Sequence, residues 1–448
     1  MPARCWRRRD PPGRGFPRGR REEAGSACAS RTPGPPRLPR LRAHAGAPPN
    51  LVRPTLVRMA ALPLRTVDVA PGPPGLADVN AALTARLDGD GPPFALIPQP
   101  SRHLTADYVR VVTDAVRPDE PVDDPDAALV VATSGSTGEP RGVVITRHNL
   151  QAAVTASWER IEGLRECAWV IALPVTSIGG FGALVRAYIA GTRLHALGSI
   201  GGAAPFDPVD LVALSVDEPF AISLVPTQVA DILSSPDATD WLARATAVIV
   251  GAAAMPDDLA ARARDAGVRL VTTYGMTETT GGCVYDGTPL PDVDVDIVDG
   301  LIEVSGPLVA AGYRQGDGGF TGSGASRRFR TADRGEWRDG RLHILGRSDD
   351  VVTVKGVNVA LGAIEAVVRT ELGVREVAVV AVSDERRGHR LMAYVVMSDP
   401  VGLPAIAPLV VERLGGAARP EVIDIDALPL LPNGKIDRRA LAERALRD

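Results

Sequence analysis

The chain is predicted to fold as α/β, with a large N-terminal domain of layered α/β subdomains and a small, mobile C-terminal α+β domain. Three observations carry this. From Met59 to about Gly346, short β-branched apolar runs alternate with helix-like stretches, the pattern of parallel strands covered by helices. Glycine- and hydroxyl-rich segments begin where several of those runs stop, and ligands gather at the carboxyl ends of strands in such sheets. Beyond Gly346, three strand-like and two helix-like segments carry an apolar set of their own.

Composition frames the reading. A chain of 448 residues is long enough for two or three domains, and a hydrophobic content of 45% fits a globular protein. No apolar run reaches the ~18 residues of a membrane span. Cys5, Cys28, Cys167 and Cys283 lack metal-ligand spacing and are too few for a disulfide framework, so a cytoplasmic location is expected. Residues 1–58 differ from the rest: 14 arginines, no lysine and three acidic residues give about +11. The formal net charge of the chain is −4, so residues 59–448 carry about −15. With eleven prolines and no apolar periodicity, this basic extension cannot offset its ordering entropy and is predicted to be disordered. A nucleic-acid-binding arm, an Arg-rich transit peptide and a wrongly assigned start upstream of Met59 all account for it. The last is favoured, so no nucleic-acid partner is assigned.

In chain order, strands are predicted at Ala128–Ala132, Ala168–Leu173, Phe220–Val225, Ala247–Val250 and Val268–Thr273, with helices at Leu150–Ile161 and Thr227–Leu233. The first strand runs into Thr133-Ser-Gly-Ser-Thr-Gly-Glu-Pro-Arg-Gly142. Gly135 and Gly138 let backbone N–H groups crowd an anion, Ser134, Ser136 and Thr137 add hydroxyl donors, and Arg141 adds a cation. A polyphosphate suits that loop, although its spacing is not Gly-x-x-x-x-Gly-Lys-Ser/Thr. Gly251-Ala-Ala-Ala254 follows the fourth strand and Tyr274-Gly-Met-Thr-Glu278 the fifth, so three loops are expected along one edge. Tyr274 can stack on a purine, Gly275 permits a tight turn, Thr277 offers a hydroxyl to phosphate, and Glu278 offers a hard oxygen to Mg²⁺. Further on, the carboxylate of Asp333 is a pure acceptor. Past Gly346, strands are predicted at Val351–Val354, Glu376–Val382 and Leu391–Met397, and helices at Leu361–Glu371 and Leu409–Leu414. Of the 50 basic residues only Lys355 and Lys435 are lysines. Lysine is a compact point charge suited to a single developing oxyanion, so each marks a place where a guanidinium will not serve; for Lys355 a solvated surface charge is an adequate account.

These segments, with Phe329-Arg-Thr-Ala-Asp333, Gly346-Arg-Ser-Asp-Asp350 and Leu431-Pro-Asn-Gly-Lys-Ile-Asp-Arg438, resemble the motifs of the acyl-adenylate-forming (AMP-binding) superfamily in order and spacing. The resemblance covers residues 59–448 and implies an ATP-dependent enzyme. It implies that Thr133, Ser134, Gly135, Ser136, Thr137, Gly138, Arg141, Gly251, Tyr274, Gly275 and Met276 bind ATP, with Asp333 on both ribose hydroxyls and Arg347 on ribose or phosphate. Glu278 would hold Mg²⁺, with Thr277 beside it. Lys435 would contact the attacking carboxylate and the α-phosphate. Asp349 would be the hinge between a large domain, 59–346, and a small lid domain, 347–448.

Tyr274-Gly-Met-Thr-Glu-Thr-Thr-Gly-Gly-Cys-Val-Tyr-Asp-Gly287, followed by Leu290-Pro, further resembles the o-succinylbenzoate–CoA ligases of menaquinone biosynthesis. So does Leu173-Pro-Val-Thr-Ser-Ile-Gly-Gly180, continuing to Arg186 and Ala190-Gly191. This implies a small-molecule carboxylic acid, ATP and CoA as substrates. Arg186 would meet the second carboxylate of the acid, Ser177, Gly281 and Gly282 would line its pocket, and the Gly356 loop would face CoA. Three positions depart from that pattern: Ser177 replaces a histidine, Gly356-Val357 replaces Gly-Gly, and Leu361 replaces a proline. Alternatives are another acyl- or aryl-CoA synthetase, an adenylation enzyme loading a carrier protein, and a non-catalytic nucleotide-binding relative. Oligomeric state is left open.

Overall fold

A computed structural model describes residues 61–101, 104–133, 140–316, 318–384, 387–398, 403–430 and 436–447. The basic extension, most of the expected phosphate loop (134–139) and the Lys435 segment (431–435) therefore lie outside the described residues.

Three sheets precede Asp349. In the first, Arg65–Val69, Phe94–Pro98 and Ala127–Ala132 run parallel, and Gly142–Thr146 returns antiparallel to the third of them. Residues 127–131 are 0–1% exposed, which is why this strand reads as one unbroken apolar run. The second sheet has seven strands in the order Thr288–Pro289, Gly281–Tyr285, Leu270–Met276, Ala247–Val250, Phe220–Leu224, Ala168–Ile171, Leu194–Ala196. Its last five strands are parallel and its first two antiparallel. The helices Arg147–Arg160 and Pro226–Ile232 start where local chemistry dictates. Thr146 and Asn149 form a reciprocal capping box, and Pro226 takes the first helical position, where its missing N–H costs nothing. The third sheet is antiparallel and joins Asp294–Val298, Leu301–Ser305, Phe320–Thr321, Arg328–Arg338 and Arg341–Arg347.

Beyond Asp350, Val351–Val354 and Val357–Ala360 form a hairpin whose two turn residues, Lys355 and Gly356, have φ of +50° and +81°. Positive φ at both central positions is the twist-matched hairpin turn, and it explains why a glycine stands at 356. Val374–Asp384 and Gly388–Met397 pair antiparallel, and Glu421–Asp424 adds a parallel edge. Alternate residues of Val374–Asp384 serve two cores. Val377 and Val379 pack with Ile364, Val368, Ile406 and Val410, whereas Ala378, Val380 and Val382 pack with Ile425, Leu428 and Leu441. Among the described residues no core cluster joins a residue before Leu342 to one after Val354. No helix among them is long and apolar enough to cross a membrane.

Four expectations are corrected. The strand Ala127–Ala132 belongs to the first sheet and the other four expected strands to the second, so the three loops leave two sheets rather than one edge. Tyr274-Gly275-Met276 does not follow its strand but continues it, because it pairs with Gly281–Tyr285. The helix Leu361–Val368 is shorter than expected and stops before Arg369. The helix Leu403–Leu414 starts earlier than expected and runs through Pro408. The proline removes one backbone donor, and burial of Ile406 and Val410 at 0% exposure carries the helix past it.

Candidate functional site

A cleft of ≈ 2280 Å³ receives the ends of both large sheets, the Asp333–Arg347 pair and parts of the C-terminal region. Thr133, Arg141, Ser177, Arg186, Gly251, Tyr274, Gly275, Met276, Thr277, Glu278, Gly281, Gly282, Asp333, Arg347 and Asp349 all line it. Gly356 is not on that wall; it sits in its hairpin turn. Ser134, Gly135, Ser136, Thr137, Gly138 and Lys435 lie outside the described residues.

The two residues that flank the expected phosphate loop, Thr133 and Arg141, are tied together. Thr133 N donates to the Arg141 carbonyl at 2.8 Å, and Arg141 N donates to Thr133 Oγ1 at 3.0 Å. The Arg141 guanidinium lies 5.1 Å from the centre of the Tyr313 ring, and the Tyr313 hydroxyl donates to Glu278 Oε1 at 2.6 Å. Burial and then the Glu278 charge push the Tyr313 phenol well above its ordinary range, so it stays a donor. A basic end of the loop is thus linked through one aromatic ring to the proposed metal carboxylate.

Asp333 is 8% exposed and sits directly opposite Arg347 across two antiparallel strands. Its Oδ2 accepts from the Tyr274 hydroxyl at 2.8 Å and its Oδ1 from Arg347 Nη1 at 3.2 Å. Burial and the neighbouring Asp333 charge push the Tyr274 phenol far above its usual range. Arg347 also holds Asp349 in a fork, Nε to Oδ1 at 2.8 Å and Nη2 to Oδ2 at 2.6 Å. One guanidinium therefore joins the expected ribose carboxylate to the expected hinge carboxylate.

Close packing fixes the glycines. A Cβ on Gly275 would fall 2.0 Å from the Gly281 carbonyl oxygen, and one on Gly251 would fall 2.5 Å from Thr273 Oγ1. Gly281 has φ of +104°. Ser177 caps the helix Ile178–Ala190: its hydroxyl accepts from Gly180 N at 3.4 Å and donates to the Pro174 carbonyl at 2.7 Å. A cap favours serine strongly and histidine not at all, which is a local reason for the departure at this position.

Arg186 lies on that same helix and is 8% exposed, so it does not snorkel to water. Nε donates to Ser157 Oγ at 2.9 Å, Nη1 to the Gly182 carbonyl at 2.8 Å and Nη2 to the Tyr285 hydroxyl at 3.3 Å. The Trp169 ring lies 5.6 Å from Cζ. Every described partner is neutral. Guanidinium has five N–H donors, and the described partners take three of them.

Sequence reasoning did not single out Tyr313, Ser157 or Tyr285 for these roles. Tyr285 stood inside a quoted motif, but its contact with Arg186 spans 99 positions, which no local pattern reveals.

Comparison with known proteins places the chain in a family. Residues 63–314 match the AMP-binding enzyme family and residues 363–435 its C-terminal domain. A probable 2-succinylbenzoate–CoA ligase of Mycobacterium tuberculosis is 36% identical over 383 residues, which cover 81% of this chain and 94% of the relative. The 2-succinylbenzoate–CoA ligase of Escherichia coli is 29% identical over 321 residues, covering 69% and 67%. Among solved structures, o-succinylbenzoate CoA synthetase of Bacillus subtilis in complex with its acyl-adenylate intermediate matches with a TM-score of 0.64 at 21% identity. That match covers 84% of this chain and 87% of that one, and speaks for the fold. The chain belongs to the AMP-binding enzyme family.

Proposed function

We propose that the chain is an ATP-dependent acid–CoA ligase that activates o-succinylbenzoate as an acyl-adenylate and transfers the acyl group to CoA, in the cytoplasm. The observation that carries the choice of acid is Arg186, a buried guanidinium on the cleft wall whose three described hydrogen bonds all go to neutral partners. A dicarboxylate fits it: one carboxylate reacts while the other takes a charge-assisted pair.

In the first half-reaction a carboxylate oxygen attacks the α-phosphorus of ATP, the bond from that phosphorus to the bridging oxygen breaks, and pyrophosphate leaves. The loop from Thr133 to Arg141 cradles the leaving phosphates, Asp333 and Arg347 hold the ribose, and Tyr274 orients Asp333 while its ring meets the purine. Catalysis of this kind rests on positioning and electrostatic stabilisation. Glu278 suits a magnesium ion, because Tyr313 occupies Oε1 and no described side chain donates to Oε2. Bound there with the phosphates, the ion supplies charge neutralisation. Lys435 offsets charge at the attacked centre. The small domain then turns about Asp349, withdrawing Lys435 and bringing the Lys355–Gly356 turn toward the pantetheine arm. The CoA thiolate attacks the acyl carbon and AMP leaves.

Ser177, whose hydroxyl is committed to a helix cap where the resembled ligases carry histidine, favours a second reading: an acyl- or aryl-CoA synthetase for a different diacid. A panel of acids assayed for pyrophosphate release, with CoA or a carrier phosphopantetheine as acceptor, separates the two. The proposal expects o-succinylbenzoate with CoA to give the highest kcat/KM. Greater turnover with another acid, or acceptance of the carrier alone, overturns it.

A further inference from the structure

Arg186 is held from three sides, and the direction of each hydrogen bond decides what its partner can still do. Ser157, on the helix Arg147–Arg160, is 0% exposed and gives its hydroxyl proton to the Val154 carbonyl at 2.7 Å. Toward Arg186 Nε it can therefore only accept, as it does at 2.9 Å. Nη1 donates to the Gly182 carbonyl, one turn back on the arginine's own helix. A Cβ at residue 182 would fall 2.8 Å from Nη1, so the guanidinium lies back along the helix because a glycine stands there. Ser157 and Gly182 are thus spent on fixing the guanidinium in place.

Tyr285 differs from both. It ends the strand Gly281–Tyr285 and is 1% exposed. Its phenol oxygen accepts from Arg186 Nη2 at 3.3 Å, and a hydroxyl that accepts still has one proton to donate. Among the described residues no oxygen takes that proton. Arg186 and Tyr285 both border the cleft, so a ligand that reaches the guanidinium there finds a second donor beside it. Nη2 and the phenol oxygen, 3.3 Å apart, make a pair that the two oxygens of one carboxylate can bridge. An ionised carboxylate is the group that suits both, because it only accepts and it answers a guanidinium whose described partners are neutral. At such low exposure that charge pair is screened far less than one on the surface.

We propose that Tyr285 is a specificity-determining residue, its phenol proton going to the same non-reacting carboxylate that Arg186 pairs with. This deepens the reading of Arg186 given above and rests on it. Tyr285→Phe removes one oxygen and keeps the ring. With o-succinylbenzoate it is expected to raise KM for the acid roughly tenfold, leaving kcat and KM for ATP within about threefold. With the analogue whose non-reacting carboxylate is replaced by methyl, all three constants should stay within about threefold of the parent. A phenol that only props the guanidinium would give the same split, so Tyr285→Phe is also made in the Arg186→Met background. A direct contact still costs the diacid about threefold or more there, whereas no further loss shows a supporting role only and overturns the proposal. Loss shared by both acids, tracking a fall in melting temperature, shows a structural role and overturns it too. Arg186→Met alone tests the underlying reading. If it lowers kcat/KM for the diacid no more than for the methyl analogue, the assignment of Arg186 fails and this one with it. If its loss is confined to the diacid while Tyr285→Phe leaves KM for the diacid unchanged, the assignment of Tyr285 alone fails.

Discussion

Arg186→Met removes a cation that the fold buries without a carboxylate. The side chain is 8% exposed and its three described hydrogen bonds, at 2.9, 2.8 and 3.3 Å, all go to neutral oxygens. Desolvating a charge without a counter-ion costs free energy, and a methionine of similar length removes that cost along with the three bonds. The substrate-free protein is therefore expected to keep its stability to within about 1 kcal/mol. Binding of the diacid is another matter. Hydrogen bonds to charged groups contribute ≈ 1.5–3 kcal/mol each, so losing a two-donor contact to a carboxylate costs about 3 kcal/mol, or roughly 150-fold in kcat/KM. Steady-state pyrophosphate release measures this with o-succinylbenzoate and with an analogue in which the non-reacting carboxylate is replaced by methyl. The diacid should lose roughly 150-fold and the analogue less than about threefold. Equal loss for both acids, or none for the diacid, refutes the assignment of the guanidinium to the second carboxylate.

Three further outcomes follow from the geometry. Tyr274→Phe deletes the donor to Asp333 Oδ2 and should raise KM for ATP about tenfold while changing KM for the acid little. Because the phenol is held protonated far above its ordinary range, KM for ATP should show no Tyr274-linked titration up to about pH 10. Gly275→Ala forces a Cβ to within 2.0 Å of a backbone oxygen, so urea unfolding should show a loss of about 2–3 kcal/mol. Burial pushes the Glu365 carboxyl up, but Arg438 and Arg369 hold its folded-state pKa below the ordinary value of 4.5. Its contribution is therefore present above that value and is lost as pH falls through the folded one. The advantage of the parent over Glu365→Gln in urea midpoint should hold above about pH 5 and fade below about pH 4.

Several strands buried on both faces were legible, although Phe94–Pro98 and Gly142–Thr146, equally buried, were not singled out. Ala247–Val250 is found with its expected bounds, and Ala127–Ala132 begins one residue early. The loops that follow were legible too, because glycine and hydroxyl clusters announce backbone that must turn or approach a ligand. Sheet membership was not. Nothing in the run 127–132 distinguishes it from 220–224, and only pairing to Phe94–Pro98 and Gly142–Thr146 places it in a separate sheet. The antiparallel strands from Asp294 to Arg347 were missed as elements, since their half-exposed faces dilute the apolar signal. The final helix was missed for a similar reason: its buried residues are Leu441 and Ala445, and the remainder is polar. At the site, residue type pointed to Glu278, and the family resemblance pointed to Asp333 and Arg186. Their partners Tyr274, Tyr313 and Tyr285 act through contacts 59, 35 and 99 positions away, which only folding brings together.

Everything mechanistic depends on a carboxylate oxygen becoming bonded to the α-phosphorus of ATP. Isotope transfer tests it directly: o-succinylbenzoate labelled with ¹⁸O in both carboxylates is turned over with ATP and CoA, and the nucleotide product is weighed by mass spectrometry. The account predicts AMP carrying a single ¹⁸O and pyrophosphate carrying none. Unlabelled AMP, or ADP with labelled phosphate, contradicts it.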